Sequence, residues 1–193
     1  PVDIQRVNWR VILADLPNTA PTGEDARSTS EECAMDEQQR IQSLIQTLEL
    51  SPHPEGGRYQ RIFESAHRLP GSTRSVLTSI YFLLQAHEYS RWHRVDADEV
   101  WYYHEGAALE LFDYDPDSGA LSRQVLGPVT EQQRPAYVVA AQHWQAARPL
   151  GGYCLVSCAV APGFEFSGFT LLAESAQDRR MLHGRLPDLL QLL

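Results

Sequence analysis

The chain has 193 residues and a formal net charge of −9 at neutral pH, and all sixteen basic residues are arginine. This length suits one domain with a well-buried core, and the acidic charge argues against nucleic acid as a partner. Without lysine, Schiff-base chemistry and a covalently held pyridoxal phosphate are excluded. No apolar run approaches the roughly 20 residues of a membrane-spanning helix, so we expect a soluble protein with no membrane partner.

The cysteines indicate a reducing compartment. Cys154 and Cys158 are four residues apart in a predicted strand, which places them about 13 Å apart and beyond the reach of a disulfide. The chain also begins without a signal-peptide pattern, so we expect a cytoplasmic location. We interpret each cysteine as a small buried hydrophobic residue rather than a reactive thiol.

The first part of the chain is predicted to lie outside the core. Residues 1–34 are polar apart from an apolar patch at 7–16 and are rich in Pro, Thr, Ser, Gly and acidic residues, which is typical of an arm and linker. The patch either docks on a partner subunit or is disordered. Asp36 and Gln39 then form a capping-box pattern that predicts the start of a short amphipathic helix. Four apolar residues follow at helical spacing: Ile41, Leu44, Ile45 and Leu48.

Short strands dominate the rest of the chain. The sequence HPEGG at residues 53–57 breaks the helix; there, His53 is better explained as a histidine fixed in a turn than as a metal ligand. Strand patterns follow at 58–63, 75–84, 99–103, 108–114, 121–126, 136–140, 152–160 and 164–172. Asp115 to Gly119 (DPDSG) predicts a hairpin turn. Strands without intervening helices predict an all-β sandwich or barrel, and LPDLLQLL at 186–193 predicts a closing helix.

The most informative stretch is SRWHRVDADEVWYYHEG at residues 90–106. It places His93, Glu99 and Gly106 in a strand-like run full of aromatic residues. This arrangement resembles the first motif of the cupin barrels, in which two histidines, a glutamate and a glycine build the inner wall and its metal site. The Glu99 to Gly106 half fits the motif, but the histidine pair is incomplete.

The resemblance extends along the chain. HPEGG (53–57), SIYFLL (79–84), HWQAA (143–147) and LVSCAVAPGFEF (155–166) together resemble the branch of the cupin superfamily catalogued as cupin family five, which is similar in fold to the dTDP-sugar 3,5-epimerases. The resemblance implies a double-stranded β-helix of jelly-roll type, a homodimer and a pocket inside the barrel. We therefore expect an N-terminal arm at 1–34, an all-β barrel with a short N-terminal helix at 35–175, and a C-terminal helical tail at 176–193.

The same resemblance makes a metal site weak. Gln145 stands where the second cupin motif carries a histidine, and His143 lies two residues away. A divalent metal would then be held by His93, Glu99 and either Gln145 or His143. Transition metals usually take at least three good protein ligands, so no cofactor is required by this sequence and a divalent metal stays an alternative.

Aromatic residues are predicted to line the pocket. Strand alternation places Glu99, Trp101 and Tyr103 on one face, which is the inner face if Glu99 faces inward as in cupins. The other predicted substrate contacts are Tyr59, Arg61, Tyr81, Trp144 and Gln145. An aromatic cavity with a few polar groups is typical of a small-ligand site, and flat aromatic faces suit a sugar ring or a nucleobase.

Two functional classes follow from these residues. In the first, the protein is a metal-independent epimerase or isomerase acting on a sugar or another polar metabolite. His93, held by a carboxylate such as Glu99 or Asp98, removes a proton beside a carbonyl, and a tyrosine such as Tyr103 returns one from the other face. In the second, the barrel only binds a small metabolite. A metal-dependent oxygenase or lyase is a third alternative, and a purely structural, hydrogen-bonded His93–Glu99 pair is a fourth.

Overall fold

The protein is described by a computed structural model that covers residues 23–176 and 178–180, with side chains from residue 35 onward. The apolar patch at 7–16 and the predicted helix at 186–193 lie outside the described residues. The chain divides into two compact units, Pro1–Asp36 and Glu37–Leu193. In the first unit the described residues are helical, and the β-strands of the described residues all lie in the second unit.

The N-terminal helix is longer than the sequence pattern predicted. Helix α1 spans Gly23–Thr47, so the prediction that it begins at the capping box of Asp36 and Gln39 is wrong. After Gly23, no glycine or proline interrupts the segment, and the acidic residues Glu24 and Asp25 favour a helix N-terminus. The predicted apolar side is confirmed, because Ile41 and Leu44 are buried in a cluster with four further residues. These are Leu50, Leu83, Tyr153 and Leu155.

Eleven strands follow within the described residues. They are β1 (Ser51–Pro52), β2 (Arg58–Glu64), β3 (Thr78–Gln85), β4 (Ser90–Val95), β5 (Asp98–Gly106), β6 (Leu109–Tyr114), β7 (Leu121–Leu126), β8 (Ala136–Val139), β9 (Trp144–Pro149), β10 (Tyr153–Ala161) and β11 (Phe169–Leu171). One sheet has the order β1-β2-β3-β10-β5-β8 and the other the order β11-β4-β9-β6-β7. All strand pairs within these sheets are antiparallel. The mainly-β, two-sheet barrel expected from the sequence is confirmed.

Local turn chemistry explains two of the connections. The predicted hairpin between β6 and β7 is present: Gly119 has φ +74°, and its N–H donates to Asp115 O at 2.9 Å. The stretch at 164–172, by contrast, is not one strand. It forms a short 3-10 helix (Phe166–Gly168), then β11, then a second 3-10 helix (Leu172–Glu174), because only three of its residues pair with β4.

The barrel interior is apolar at one end. Its largest cluster contains Phe82, Trp101 and Leu111 from both sheets, together with Cys154 and Cys158. Both cysteines are buried and free, as predicted, and burial raises the pKa of Cys154 to about 12. Among the described helices, none is long and apolar enough to cross a membrane.

Candidate functional site

A cavity opens into the other end of the barrel. It contains roughly 530 Å³ of space not filled by protein atoms, part of it open to solvent. Two histidines and two glutamates meet at its base: His53, Glu55, His93 and Glu99. The side chains around and above them include Tyr59, Arg61, Phe164, Phe166 and Phe169. The cavity therefore combines a buried polar base with an aromatic wall.

Glu55 is directed into this cavity by the HPEGG turn between β1 and β2. The turn closes through His53 N–H to Gly57 O at 3.0 Å and Gly56 N–H to His53 O at 3.1 Å. Gly56 and Gly57 have φ of +114° and +65°, a region that favours glycine. A Cβ at Gly57 would lie 2.7 Å from the backbone oxygen of Leu83, so both the dihedral and the close approach require glycine there.

His93 is held by its backbone neighbour and by Glu55. Its Nδ1 lies 2.8 Å from Arg91 O; since a carbonyl only accepts, Nδ1 carries the proton. In the neutral ring Nε2 is therefore an acceptor, and it lies 3.4 Å from Glu55 Oε2. Burial lowers the pKa of His93, while the charge of Glu99 acts in the opposite direction. His93 is thus a neutral imidazole with its basic nitrogen in the cavity.

His53 has the opposite tautomer. Its Nδ1 accepts a hydrogen bond from the backbone N–H of Glu55 at 3.3 Å, so in the neutral ring the proton is on Nε2. The ring makes an edge contact with Tyr59, with centroids 4.5 Å apart. Burial lowers the pKa of His53. The two histidines therefore offer one acceptor and one donor.

The two carboxyl groups are each held by a polar side chain. Ser90 Oγ donates to Glu55 Oε1 at 2.9 Å, and Gln145 Nε2 donates to Glu99 Oε2 at 2.6 Å. Burial raises the pKa of Glu55 and of Glu99, and the charge of Glu55 raises that of Glu99 further. Burial thus favours the uncharged form of all four groups at the base.

The side chains do not fit the metal site considered from the sequence. Gln145 Nε2 is bonded to Glu99, and its Oε1 accepts from Trp101 Nε1 at 2.9 Å, so both ends of the amide are engaged. The alternative ligand, His143, is instead bonded through Nδ1 to Asp113 Oδ1 at 2.8 Å. Within residues 35–176, no group of three or more His, Cys, Asp or Glu side chains is placed to hold a metal ion. We therefore derive no chemical step through a metal.

The predicted substrate contacts separate into three groups. Tyr59 and Arg61 line the cavity, as expected. Trp101 and Gln145 lie beneath its base. Trp101 donates to Gln145, and Gln145 donates to Glu99, so the two side chains together orient Glu99. Tyr81 does not line the cavity, because it alternates with Ile80 and Phe82 and so faces the side on which helix α1 packs.

Trp144 and Tyr103 also lie elsewhere. Trp144 alternates with Gln145 and is fully buried on the opposite face of its sheet, against Trp92 and Phe112. Tyr103 shares a face with Glu99 but lies four residues along β5, about 13 Å away, where its hydroxyl donates to Gly106 O at 2.7 Å. The predicted return of a proton by Tyr103 therefore does not fit this geometry.

Glu55 was not predicted from the sequence as part of the site. For Phe164, Phe166 and Phe169, which line the cavity, the sequence predicted only a strand. A signal for Glu55 was available, because an acidic residue directly before a Gly-Gly pair is fixed in a turn with little freedom. The aromatic residues carried no such signal, since a phenylalanine in a strand pattern is more often part of a core.

Comparisons with known proteins agree with this geometry. The profile of the family described as "Cupin superfamily (DUF985)" matches residues 42–172. A protein from Shewanella oneidensis, solved by X-ray crystallography, is 34% identical, with a TM-score of 0.69 over 78% of this chain and 94% of that chain. A hypothetical protein from Leishmania major is 30% identical, with a TM-score of 0.66 over 78% and 95%.

More distant structures agree in fold alone. Oxalate decarboxylase from Bacillus subtilis is 13% identical, with a TM-score of 0.50 over 70% of this chain and 34% of that chain. This similarity shows a shared barrel and carries no information about the reaction. A search of curated proteins finds none with significant similarity.

Proposed function

Because this chain belongs to the cupin superfamily, in the family described as DUF985, and its barrel holds a polar cavity, we propose that it is an isomerase or epimerase. The reaction would move a proton on a small polar metabolite. One observation carries this proposal: Glu55, His93 and Glu99 are buried together at the base of one cavity, with the half-buried His53 beside them. Clusters of buried ionisable groups with perturbed pKa values are typical of catalytic sites.

His93 is the candidate base. Its neutral ring exposes Nε2 as an acceptor, so it can take a proton from a carbon next to a carbonyl group. The imidazolium that forms is stabilised by Arg91 O, which accepts a hydrogen bond from Nδ1. The electron pair of the broken C–H bond moves into the substrate as an enolate or enol.

Glu99 is the candidate second proton carrier. It lies on β5, in the sheet opposite β4, and interacts electrostatically with His93. Burial raises its pKa, so it keeps a proton to higher pH than an exposed glutamate and can donate it. A proton delivered from the side of Glu99 would either invert the configuration at the reacting carbon or shift the position of the carbonyl group. His93 then returns its proton to the solvent, and Glu99 is reprotonated.

Exchange with solvent tests the proposal without knowledge of the product. Proton abstraction beside a carbonyl replaces a C–H bond with C–D in D₂O, even where the equilibrium leaves the substrate unchanged. We expect NMR of the protein incubated with aldoses, ketoses and hydroxy-ketones in D₂O to show loss of one C–H signal from at least one compound. The same loss must not occur without protein.

Matched variants assign the exchange to the cavity. His93→Gln and Glu99→Gln should each slow it by about 100-fold or more. His143→Gln is the control, since His143 is paired with Asp113 outside the cavity lining and should leave the rate unchanged. A compound that exchanges equally well with His93→Gln would refute the role given to His93.

A second function, binding without turnover, is supported by a separate observation. The polar atoms at the base already have protein partners: Ser90 for Glu55, Gln145 for Glu99 and Arg91 O for His93. Such a satisfied network suits a rigid binding site. A metabolite that stabilises the protein but shows no exchange in D₂O would favour this function. The homodimer and the cytoplasmic location expected from the sequence stay predictions.

A further inference from the structure

The two ends of the cavity differ in charge, and this difference limits the ligand. We infer that the ligand is a small hydroxylated anion that enters with its uncharged hydroxyl- or carbonyl-bearing end toward His93 and keeps its carboxylate or phosphate at Arg61. This inference rests on the proposed function only in taking the cavity as the substrate site. It adds the chemical class of the ligand and its direction of entry.

The base of the cavity is unsuited to an anion. An anionic group placed there would meet two carboxyl groups, Glu55 and Glu99, and would lose its hydration without a permanent cation in return. Arg91, two residues before His93 in sequence, is not available as that cation, because its guanidinium donates to the backbone oxygens of Glu55 and Pro54. Hydroxyl and carbonyl groups, by contrast, can use both the donor and the acceptor that the two histidines present.

The entrance carries the compensating positive charge. Among the described residues that line the cavity, Arg61 is the one arginine, and the lining includes no lysine. Arg61 Nη1 lies 3.3 Å from Glu64 Oε2, and Arg68 Nη1 lies 3.3 Å from the other oxygen of the same carboxylate. Two guanidinium groups therefore share one carboxylate, which leaves a surplus positive charge beside the opening.

The other charged side chains on this side lie outside the cavity lining. Glu165 lies on the segment that carries Phe164 and Phe166, and it interacts electrostatically with Arg74. Arg74 is itself paired with Asp96 through two hydrogen bonds of 2.9 and 2.6 Å. One arginine and two carboxylates thus form a separate set outside the lining, and Arg61 is the charged side chain that a ligand meets above the base of the cavity.

The aromatic wall connects the two ends. Phe164 and Phe169 are in edge contact with centroids 5.9 Å apart, and Phe169 also lies over His93 at 5.4 Å. Such faces pack against the C–H side of a hydroxylated ring or chain. Carboxylate and phosphate fit Arg61 equally in charge, so the experiment has to separate them.

The test uses matched triplets of probes measured by thermal shift and isothermal titration calorimetry: neutral sugars, the corresponding sugar acids and the corresponding sugar phosphates, with acetate and inorganic phosphate as bare anions. We expect the hydroxylated anions to bind more tightly than their neutral partners and than the bare anions. Their affinity should fall about tenfold in Arg61→Gln, and it should weaken as salt is added. Arg134→Gln is the control, because Arg134 is exposed and outside the cavity lining.

The outcomes separate this inference from the proposed function. The inference would be overturned if the neutral sugars bind most tightly. It would also be overturned if the affinity of the hydroxylated anions is unchanged in Arg61→Gln. Anions whose binding depends on His93 instead of Arg61 would also overturn it, because the charged end would then lie at the base. A hydroxylated anion that binds through Arg61 but shows no C–H exchange in D₂O leaves the inference standing and removes the proposed proton transfer.

Discussion

His93 Nε2 lies 3.4 Å from Glu55 Oε2, so a histidine from β4 and a carboxyl group from the β1–β2 turn form a buried pair. Ser90 holds the other oxygen of Glu55, and Arg91 O holds the other nitrogen of His93. Since each partner is fixed on its far side, the remaining nitrogen of His93 and the remaining oxygen of Glu55 face each other.

Nitrogen NMR of His93 tests this arrangement directly. Burial lowers the pKa of His93 and Glu99 raises it in part, so we expect the ring to titrate below the ordinary value of 6.5 with its proton on Nδ1 when neutral. Removal of the compensating charge in Glu99→Gln should lower the pKa of His93 further. Glu131→Gln changes an exposed carboxylate and should leave the titration where it is. A ring that titrates above 6.5, or that carries its proton on Nε2, would contradict the assigned geometry.

The dependence of stability on pH gives a second test. The pKa of Glu99 is raised above its ordinary value of 4.5, so above pH 4.5 the unfolded chain loses this proton before the folded chain does. The stability that the protonated Glu99 contributes is therefore fully present below pH 4.5 and is lost as the pH rises toward the folded pKa. Because Glu99→Gln has no such proton, we expect its free energy of unfolding to rise relative to wild type above pH 4.5.

Urea denaturation at pH 4 to 8 measures that difference. One proton changes the relative stability by at most about 1.4 kcal/mol per pH unit, so a few pH values suffice to define the slope. Glu131→Gln again serves as the control, and its free energy of unfolding should depend on pH in the same way as that of wild type. A constant difference between Glu99→Gln and wild type over the whole range would show that the pKa of Glu99 is not raised.

The sequence could predict the part of the site that depends on strand parity. Glu99 was placed on the inner face through its match to the cupin motif, and that face is confirmed because Glu99 lines the cavity. Parity does not give the position of a residue along the strand. Tyr103 therefore lies on the same face as Glu99 but outside the cavity. Parity also shows why Trp144 and Gln145, both predicted as substrate contacts, cannot share a face: Trp144 is buried on the outer side of its sheet.

The remainder of the site depends on contacts between distant segments. Glu55 reaches His93 because a turn of two glycines packs against β3, and the sequence distance between these residues gives no sign of it. The aromatic wall depends on a short strand, β11, whose three residues pair with β4. Helix α1 was predicted too short for a different reason: its first half is polar, and periodicity detects only an apolar face.

A pair of glycine substitutions tests the role of the HPEGG turn. Gly57 and Gly71 have nearly the same φ, +65° and +72°, but a Cβ at Gly57 would lie 2.7 Å from Leu83 O and one at Gly71 would meet nothing within 4 Å. Gly71→Ala should cost about 1 kcal/mol for the positive φ. Gly57→Ala should cost about 2 kcal/mol more, because backbone must shift. Equal losses in denaturation experiments would show that the turn does not pack tightly.

Substitution of Gln145 distinguishes a scaffold for Glu99 from a metal ligand. Gln145→Leu removes the partner of both Trp101 Nε1 and Glu99 Oε2, and each buried polar group left unpaired costs about 1–3 kcal/mol. We expect a loss of about 3 kcal/mol in the free energy of unfolding, whereas Gln132→Leu, at an exposed position, should be nearly neutral. The measurement is repeated after dialysis against chelator. Because both ends of the amide are bonded to protein atoms, chelator should leave the difference in free energy of unfolding between wild type and variant unchanged. If that difference disappears when metal is removed, Gln145 acts through a bound metal.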